Sequence, residues 1–560
     1  MRQTPDSPRH SWRAAARPER ILPTLCALCA AAVLVAIRVH FLTMPLERDE
    51  GEYAYAGQLM LAGVAPYEGA YSMKWPGTHV AYALMMGFFG ETPAAIHFGL
   101  LLVNIATVAL VFAIGLRMYS AAPAAVAATT CATLATIPPI YGFAGHATHF
   151  VALFALCGIA ALQGLDDGTG PGRVFAAGLL LGLGMLMKQA GGAFAIFAAV
   201  WIVRCEVVAQ RRQWGRLGMR FVLLGLGCLL PIFLTCSILY GLGVFERFWL
   251  WTFRYAGQYA AIMGAKEGMS SLLFHAYLLF RSTPELWSLA GLGIPLVLFS
   301  PSVRKWRFFA LGFVFFSFLA VCPGWYFRGH YFLLLLPAAG LLTGFTAQAM
   351  SRWIFEAWPF LSRDAITTLL FLPVFVWSLL ECRTFLFRLT PTQASRVIYG
   401  GDPFPESVEI SRYLAEHCPP RSRIAIIGSE PQIYFYSRRR SATGYIYTFP
   451  LMEPQPFALD MQRDMIHEIE ATDPDYVVFV NIQGSWQTQP DSPTVIFDWF
   501  RDYQRKRLEL VAIVRILSSD RTEYDWGLAG PPVLPESGAW LGIWKQRKPA
   551  VPQISSGEAG

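Results

Sequence analysis

Between Glu47 and Gly77 the chain reads ERDEGEYAYAGQLMLAGVAPYEGAYSMKWPG. Arg48, Asp49, Glu50, Glu52 and Lys74 crowd into this polar stretch, directly after a long apolar run. Ionisable groups beside a bilayer are costly unless they are solvated or functional, so this is the first place to look for chemistry. A carboxylate can serve as a general base. A cation next to the rigid Pro76-Gly77 turn suits a phosphate held opposite that carboxylate. The local pattern also allows a plainer role. Asp49-Glu50-Gly51-Glu52 fits the D-x-x-E pattern of a helix N-cap, and Gly63 supplies a C-terminal stop for the helix it would start. Capping and catalysis are both open for Asp49 at this point.

Further candidates lie at breaks in the apolar segments. Lys188-Gln189-Ala-Gly-Gly interrupts one apolar run, and Arg328-Gly-His330-Tyr331 opens another. An anionic lipid head group is a natural partner for Lys74 and Lys188, because each cation sits at a break near membrane depth. Arg247 and Lys266 read as ordinary head-group contacts. His146 and His149 are three residues apart, on one helical face. Two histidines do not make a metal site. Asp49 or Glu50 would have to join them, and nothing in the sequence shows that they do. A divalent metal is compatible with these residues but unsupported, so no metal ligand and no cofactor is assigned.

The elements that position these residues follow from composition. The chain has 560 residues, 54% hydrophobic and only 15% charged. That is the profile of an integral membrane protein, with apolar runs long enough to span a bilayer as helices. The net charge of +7 does not indicate nucleic-acid binding, because much of it lies in short loops where it sets orientation. The expected architecture is an α-helical polytopic membrane protein of about eleven transmembrane helices. Spans are expected from Ile21 and then at about 95–119, 122–141, 147–163, 174–187, 191–204, 221–240, 286–299, 308–321, 330–350 and 365–380. Residues 1–20 are read as a cytoplasmic tail, 21–381 as the membrane domain and 44–94 as its first outer loop, with an interfacial helix near 78–90. A second outer loop is expected at about 241–284. The arginine-rich segments around 204–220 and 304–307 place those turns inside, and everything after Glu381 outside. Most of the ten cysteines lie within apolar segments and form no disulfide framework.

From about 382 to 548 the composition becomes that of a soluble, extracytoplasmic α/β domain. Residues 423–428, 476–481, 508–517 and 540–544 read as strands, and 406–417 and 457–471 as amphipathic helices. This alternation suggests a small parallel sheet. Gly428-Ser-Glu-Pro follows a strand but is not a dinucleotide fingerprint. Residues 549–560 are read as a disordered tail.

Taken together, Arg48-Asp-Glu-Gly-Glu-Tyr, Met73-Lys-Trp-Pro-Gly-Thr, Met187-Lys-Gln and Arg328-Gly-His-Tyr-Phe-Leu-Leu-Leu-Leu-Pro resemble the membrane glycosyltransferases of the C superfamily. The chain looks like bacterial relatives of the protein O-mannosyltransferases, of the lipid A aminoarabinose transferase and of rhizobial lipopolysaccharide-core sugar transferases. The resemblance covers roughly 20–380. It implies a multi-pass enzyme of the plasma (inner) membrane, acting on the extracytoplasmic face. A hexosyl or pentosyl group would pass from a polyprenyl-phosphate donor to a lipid, glycan or protein acceptor, with inversion. Asp49 would be the catalytic carboxylate, with Glu50 beside it. Lys74, Lys188, Arg328 and His330 would meet the donor phosphate. Arg48, Tyr53, His146 and His149 would line the substrate site. Many relatives carry an acidic residue in the outer loop before the fourth span, where this chain has Gly145-His-Ala-Thr-His. The main alternative is a transporter or flippase of lipid-linked glycans. That reading calls for mid-membrane binding residues and internal repeats, and neither is visible.

Overall fold

The structure is a computed structural model that describes residues 18–163, 170–208, 214–528 and 534–547. Most of the expected cytoplasmic tail and the expected tail 549–560 lie outside the described residues. The chain forms two compact units. One comprises 1–43, 94–236 and 263–390; the other comprises 44–93, 237–262 and 391–560.

The first unit is helical. Among the described residues, five helices are long and apolar enough to cross a membrane, or six if the pair Ala265–Ser282 and Pro284–Phe299, bent by 111°, forms one span. Four more apolar helices are shorter, including Ala147–Leu162 and Pro171–Met187. The chain is thus a multi-pass membrane protein, and each of the eleven expected segments contains helix. The third is cut short, ending at Leu134. Pro138 and Pro139 cannot supply backbone donors, and they lie in a short 3-10 turn instead. The expected loop 241–284 is largely helical: Phe245–Trp249, a π turn Leu250–Tyr255, Ala256–Ile262 and Ala265–Ser282. Scattered charges there hid the helical periodicity. Close helix packing comes from small residues. A Cβ on Gly178 would fall 2.3 Å from the Leu224 carbonyl oxygen, and one on Gly227 would fall 2.3 Å from that of Phe175.

The second unit is built on a six-stranded sheet: β1 (Arg423–Ile427), β2 (Arg440–Ser441), β3 (Tyr476–Asn481), β4 (Leu508–Ile516), β5 (Thr522–Trp526) and β6 (Ala539–Gln546), in the order β2-β1-β3-β6-β4-β5. The expected parallel sheet is only partly realised. β1 runs parallel to β2 and β3, while β6 pairs antiparallel with β3 and β4, and β5 with β4. A short turn between β4 and β5 makes a hairpin, which forces antiparallel pairing. The unit is discontinuous in sequence. Its C-terminal part begins at Pro391 rather than at the expected 382, and it also contains the first loop and the π-turn segment. The core shows why: Trp251 and Tyr255 of that segment are buried with Met465, Val477 and Trp544 of the sheet domain, and Tyr71 of the first loop packs against the same cluster.

Candidate active site

The first loop folds as a helix, Arg48–Leu61, followed by a second, Pro76–Phe89. The N-cap is Glu47, not Asp49. The Glu47 carboxylate accepts from the Glu50 amide at 2.9 Å, and Glu50 Oε2 accepts from the Glu47 amide at 3.4 Å, a reciprocal capping box. The helix closes at Ala62, and Gly63 takes the left-handed conformation that ends it (φ 78°). Gly51 lets the helix lie directly on Gln432–Ser437, since a Cβ there would sit 2.6 Å from the Gln432 amide nitrogen.

With capping assigned to Glu47 and Glu50, Asp49 is available for other contacts. Lys74 Nζ donates to Asp49 Oδ1 at 2.8 Å and to Glu52 Oε2 at 2.7 Å. Ser72 Oγ donates to the other oxygen of Glu52 and accepts from the Lys74 amide at 3.1 Å. Lys74 Nζ also lies 4.6 Å from the ring centroid of Tyr53. Two carboxylates therefore share one ammonium. Burial opposes the charge on Lys74, but Asp49 and Glu52 outweigh it and hold the ammonium well above its ordinary pKa. Burial drives the Glu52 carboxyl upward against the pull of Lys74, and the nearby Asp49 charge adds to the rise. Burial, then Lys74, lowers His79 to about 3, so the imidazole is neutral beside Glu52. Exposure ranks the acids: the Asp49 side chain is 15% exposed, Glu52 4%, and Glu50 is fully buried. Asp49 is the most exposed of these three carboxylates.

Arg48 points into the sheet domain. Its Nε donates to the Ser429 carbonyl at 2.6 Å, and its Nη2 to Glu430 at 3.0 Å and Asp402 at 3.2 Å. The rings of Phe404 and Phe449 flank it at 5.3 Å. Arg48, expected to line a substrate site, fastens the loop to Asp402 and to the residues after β1. From the same domain, the Tyr447 hydroxyl lies 3.4 Å from Asp49 Oδ1.

In the helical unit a second group assembles. Lys188 is extended between two helices, and its Nζ stands 3.6 Å over the Tyr331 ring. His330 stacks on His146, with ring centroids 4.0 Å apart. Arg328 faces the Tyr326 ring at 5.3 Å. His149 is buried in the first turn of its helix, and lines an apolar cavity of about 490 Å³ together with Arg38.

Comparison with solved structures addresses the fold. ArnT from Cupriavidus metallidurans, bound to undecaprenyl phosphate, matches over 93% of this chain and 98% of its own, with a TM-score of 0.55 at 14% identity. Its apo form gives 0.53 at 15%, over the same shares of both chains. The archaeal oligosaccharyltransferase AglB from Archaeoglobus fulgidus, in complex with an inhibitory peptide and a dolichol-phosphate, gives 0.50 at 13%, over 93% of this chain and 76% of its own. The chain has the C-superfamily glycosyltransferase fold. No protein-family model and no curated protein matches the sequence.

Within this C-superfamily fold, two residues at the acidic cluster escaped assignment from sequence. Glu52 is three residues after Asp49 and shares its helical face, a signal that was present in the spacing. Tyr447 is 398 residues from Asp49, and nothing local announces it.

Proposed function

We propose that the chain is a membrane glycosyltransferase that moves a hexosyl or pentosyl group from a polyprenyl-phosphate donor to an acceptor hydroxyl on the extracytoplasmic face, with inversion. The observation that carries this reading is the Asp49–Lys74–Glu52 cluster in the first loop. Direct inversion needs a base opposite the leaving group, and Asp49 is the most exposed of the three acids compared above. Lys74 was expected to meet the donor phosphate. Its engagement with two carboxylates supports a different role: the cluster carries a net negative charge when all three groups are ionised, which disfavours a phosphate beside it. Lys74 instead favours the ionised, aimed form of Asp49. The departing phosphate is then left to Lys188, Arg328 and His330. Glu50 and Arg48 act structurally, through the cap and the clamp. Undecaprenyl phosphate in the ArnT structure and dolichol-phosphate in that of AglB support the donor class.

The test is mass spectrometry of envelope glycolipids and glycoproteins from cells that carry the wild-type chain, Asp49→Asn, or neither. A species heavier by one sugar residue is expected with the wild-type chain alone, together with consumption of the polyprenyl-phosphate sugar by its membranes. The same product with Asp49→Asn would remove Asp49 as the base, and a retained anomeric configuration would rule out the inverting step.

A further inference from the structure

We propose that the C-terminal sheet domain takes part in catalysis by positioning the base, through the Tyr447 hydroxyl on Asp49. This rests on Asp49 being the base of the proposed transfer. The segment that carries Tyr447 is pinned on both sides. Upstream, the Tyr71 amide donates to the Gly444 carbonyl at 2.7 Å. The Glu468 carboxylate gathers the Tyr71 hydroxyl at 2.7 Å, the Thr443 hydroxyl at 2.6 Å and the Gly444 amide at 2.9 Å. Gly444 is required there, because a Cβ would lie 2.3 Å from the Tyr71 ring. Downstream, the Thr448 amide donates to Ser429 Oγ at 2.9 Å, and the Phe449 ring meets the Tyr447 ring edge-on at 4.8 Å. Upstream of Tyr447 the first loop is thus tied to the sheet domain, and downstream the segment is held by the residues that follow β1.

Between these anchors the Tyr447 hydroxyl lies 3.4 Å from Asp49 Oδ1, the same oxygen that takes Lys74 Nζ at 2.8 Å. The Tyr447 ring faces Lys74 Nζ at 5.6 Å. Two donors from distant parts of the chain converge on one oxygen and fix the orientation of the carboxylate. A donor to the ionised form also favours that form. Within this unit, the ionisable groups that face Asp49 are Lys74, Tyr447, Glu52, Tyr53 and Tyr82. Lys74 and Tyr447 both hydrogen-bond to its Oδ1. Tyr447 acts through Asp49 and is a positioning residue.

Tyr447→Phe tests this, because it keeps the ring against Phe449 and deletes the hydroxyl alone. The measurement is the pH dependence of kcat and KM for transfer from a polyprenyl-phosphate sugar by the full-length protein, with a thermal melt as the check on folding. The expected result is a wild-type melt, a kcat lower by about tenfold with donor KM unchanged, and an acid limb of kcat/KM displaced to higher pH. Tenfold is the low end for losing a hydrogen bond to a charged group, as suits a 3.4 Å contact. An inactive Asp49→Asn beside a Tyr447→Phe with unaltered rate and acid limb overturns the inference while leaving the proposed function standing. A fall in rate with a stationary acid limb assigns Tyr447 to packing and overturns it too. An active Asp49→Asn removes the reading beneath it.

Discussion

Arg48→Met should loosen the first loop from the sheet domain by an amount that can be worked from the structure. Arg48 makes three hydrogen bonds, to Ser429, Glu430 and Asp402, and contacts two aromatic rings. Asp402 is partly exposed at 22% and can turn to water, but the Glu430 side chain is fully buried. Removing one partner of a buried pair costs about 3–5 kcal/mol, because the other charge is left uncompensated. At about 2–4 °C per kcal/mol for a unit of this size, the melting midpoint should fall by ~10 °C. The penalty also has a pH signature. Burial raises the Glu430 pKa in the wild type, and Arg48 pulls against that rise. A carboxyl with a raised folded-state pKa stabilises most when protonated, and that contribution is lost as pH rises through the folded value. Without Arg48 the pKa climbs further. The destabilisation is therefore larger at neutral pH than at mildly acidic pH, because the raised pKa lets Glu430 take up a proton as pH falls. Neutralising the partner should rescue: Arg48→Met combined with Glu430→Gln should melt well above Arg48→Met alone. Thermal melts of the purified protein in detergent at neutral and at mildly acidic pH decide the matter. A loss that is the same at both, and the same with and without Glu430→Gln, would refute the clamp.

Three further outcomes separate the roles at the acidic cluster. Asp49→Asn should cut turnover by roughly a hundredfold or more, the scale of a lost general base. Its melt should stay near wild type, since Glu47 and Glu50 hold the cap and Lys74 keeps Glu52 as a partner; a large fall in melting midpoint would return Asp49 to a structural role. Glu47→Ala should cost about 1 kcal/mol of stability through the lost cap, and an unshifted melt would show the capping box idle. Lys74→Ala should lower kcat and leave the donor KM nearly unchanged if Lys74 serves Asp49, whereas a rise in KM with intact kcat would restore it as a phosphate ligand.

How far the sequence anticipates these features depends on the range of the forces involved. The helix in the first loop and its stop at Gly63 are local, and legible. The cap was misplaced by two positions because Asp is a preferred N-cap residue and Glu is not, so the pattern points to Asp49 while the fold uses Glu47. β1, β3, β4 and β6 were legible as apolar runs, rich in Val and Ile in the first three and carrying two Trp in β6. β2 has two residues, and β5 is the half-exposed Thr-Glu-Tyr-Asp-Trp at the sheet edge; neither has an apolar pattern to read. Arg48 was seen as a charge beside a candidate base, but its partners Glu430 and Asp402 are 382 and 354 residues away. Tertiary proximity on that scale leaves no periodicity in the chain.

That same separation sets an order of assembly. Arg48 is made early and Glu430 late; at about 5–20 residues per second, roughly 20–80 s of synthesis lie between them. For that interval the guanidinium lacks its buried counter-charge Glu430, Tyr71 has no Gly444 to meet, and the first loop has no surface on which to lay Gly51. The loop is made as a half-site and becomes rigid once the last third of the chain arrives. A chain released early would thus carry its acidic cluster unclamped, so a premature stop anywhere before β1 yields a membrane-inserted but unassembled product rather than a partly active one.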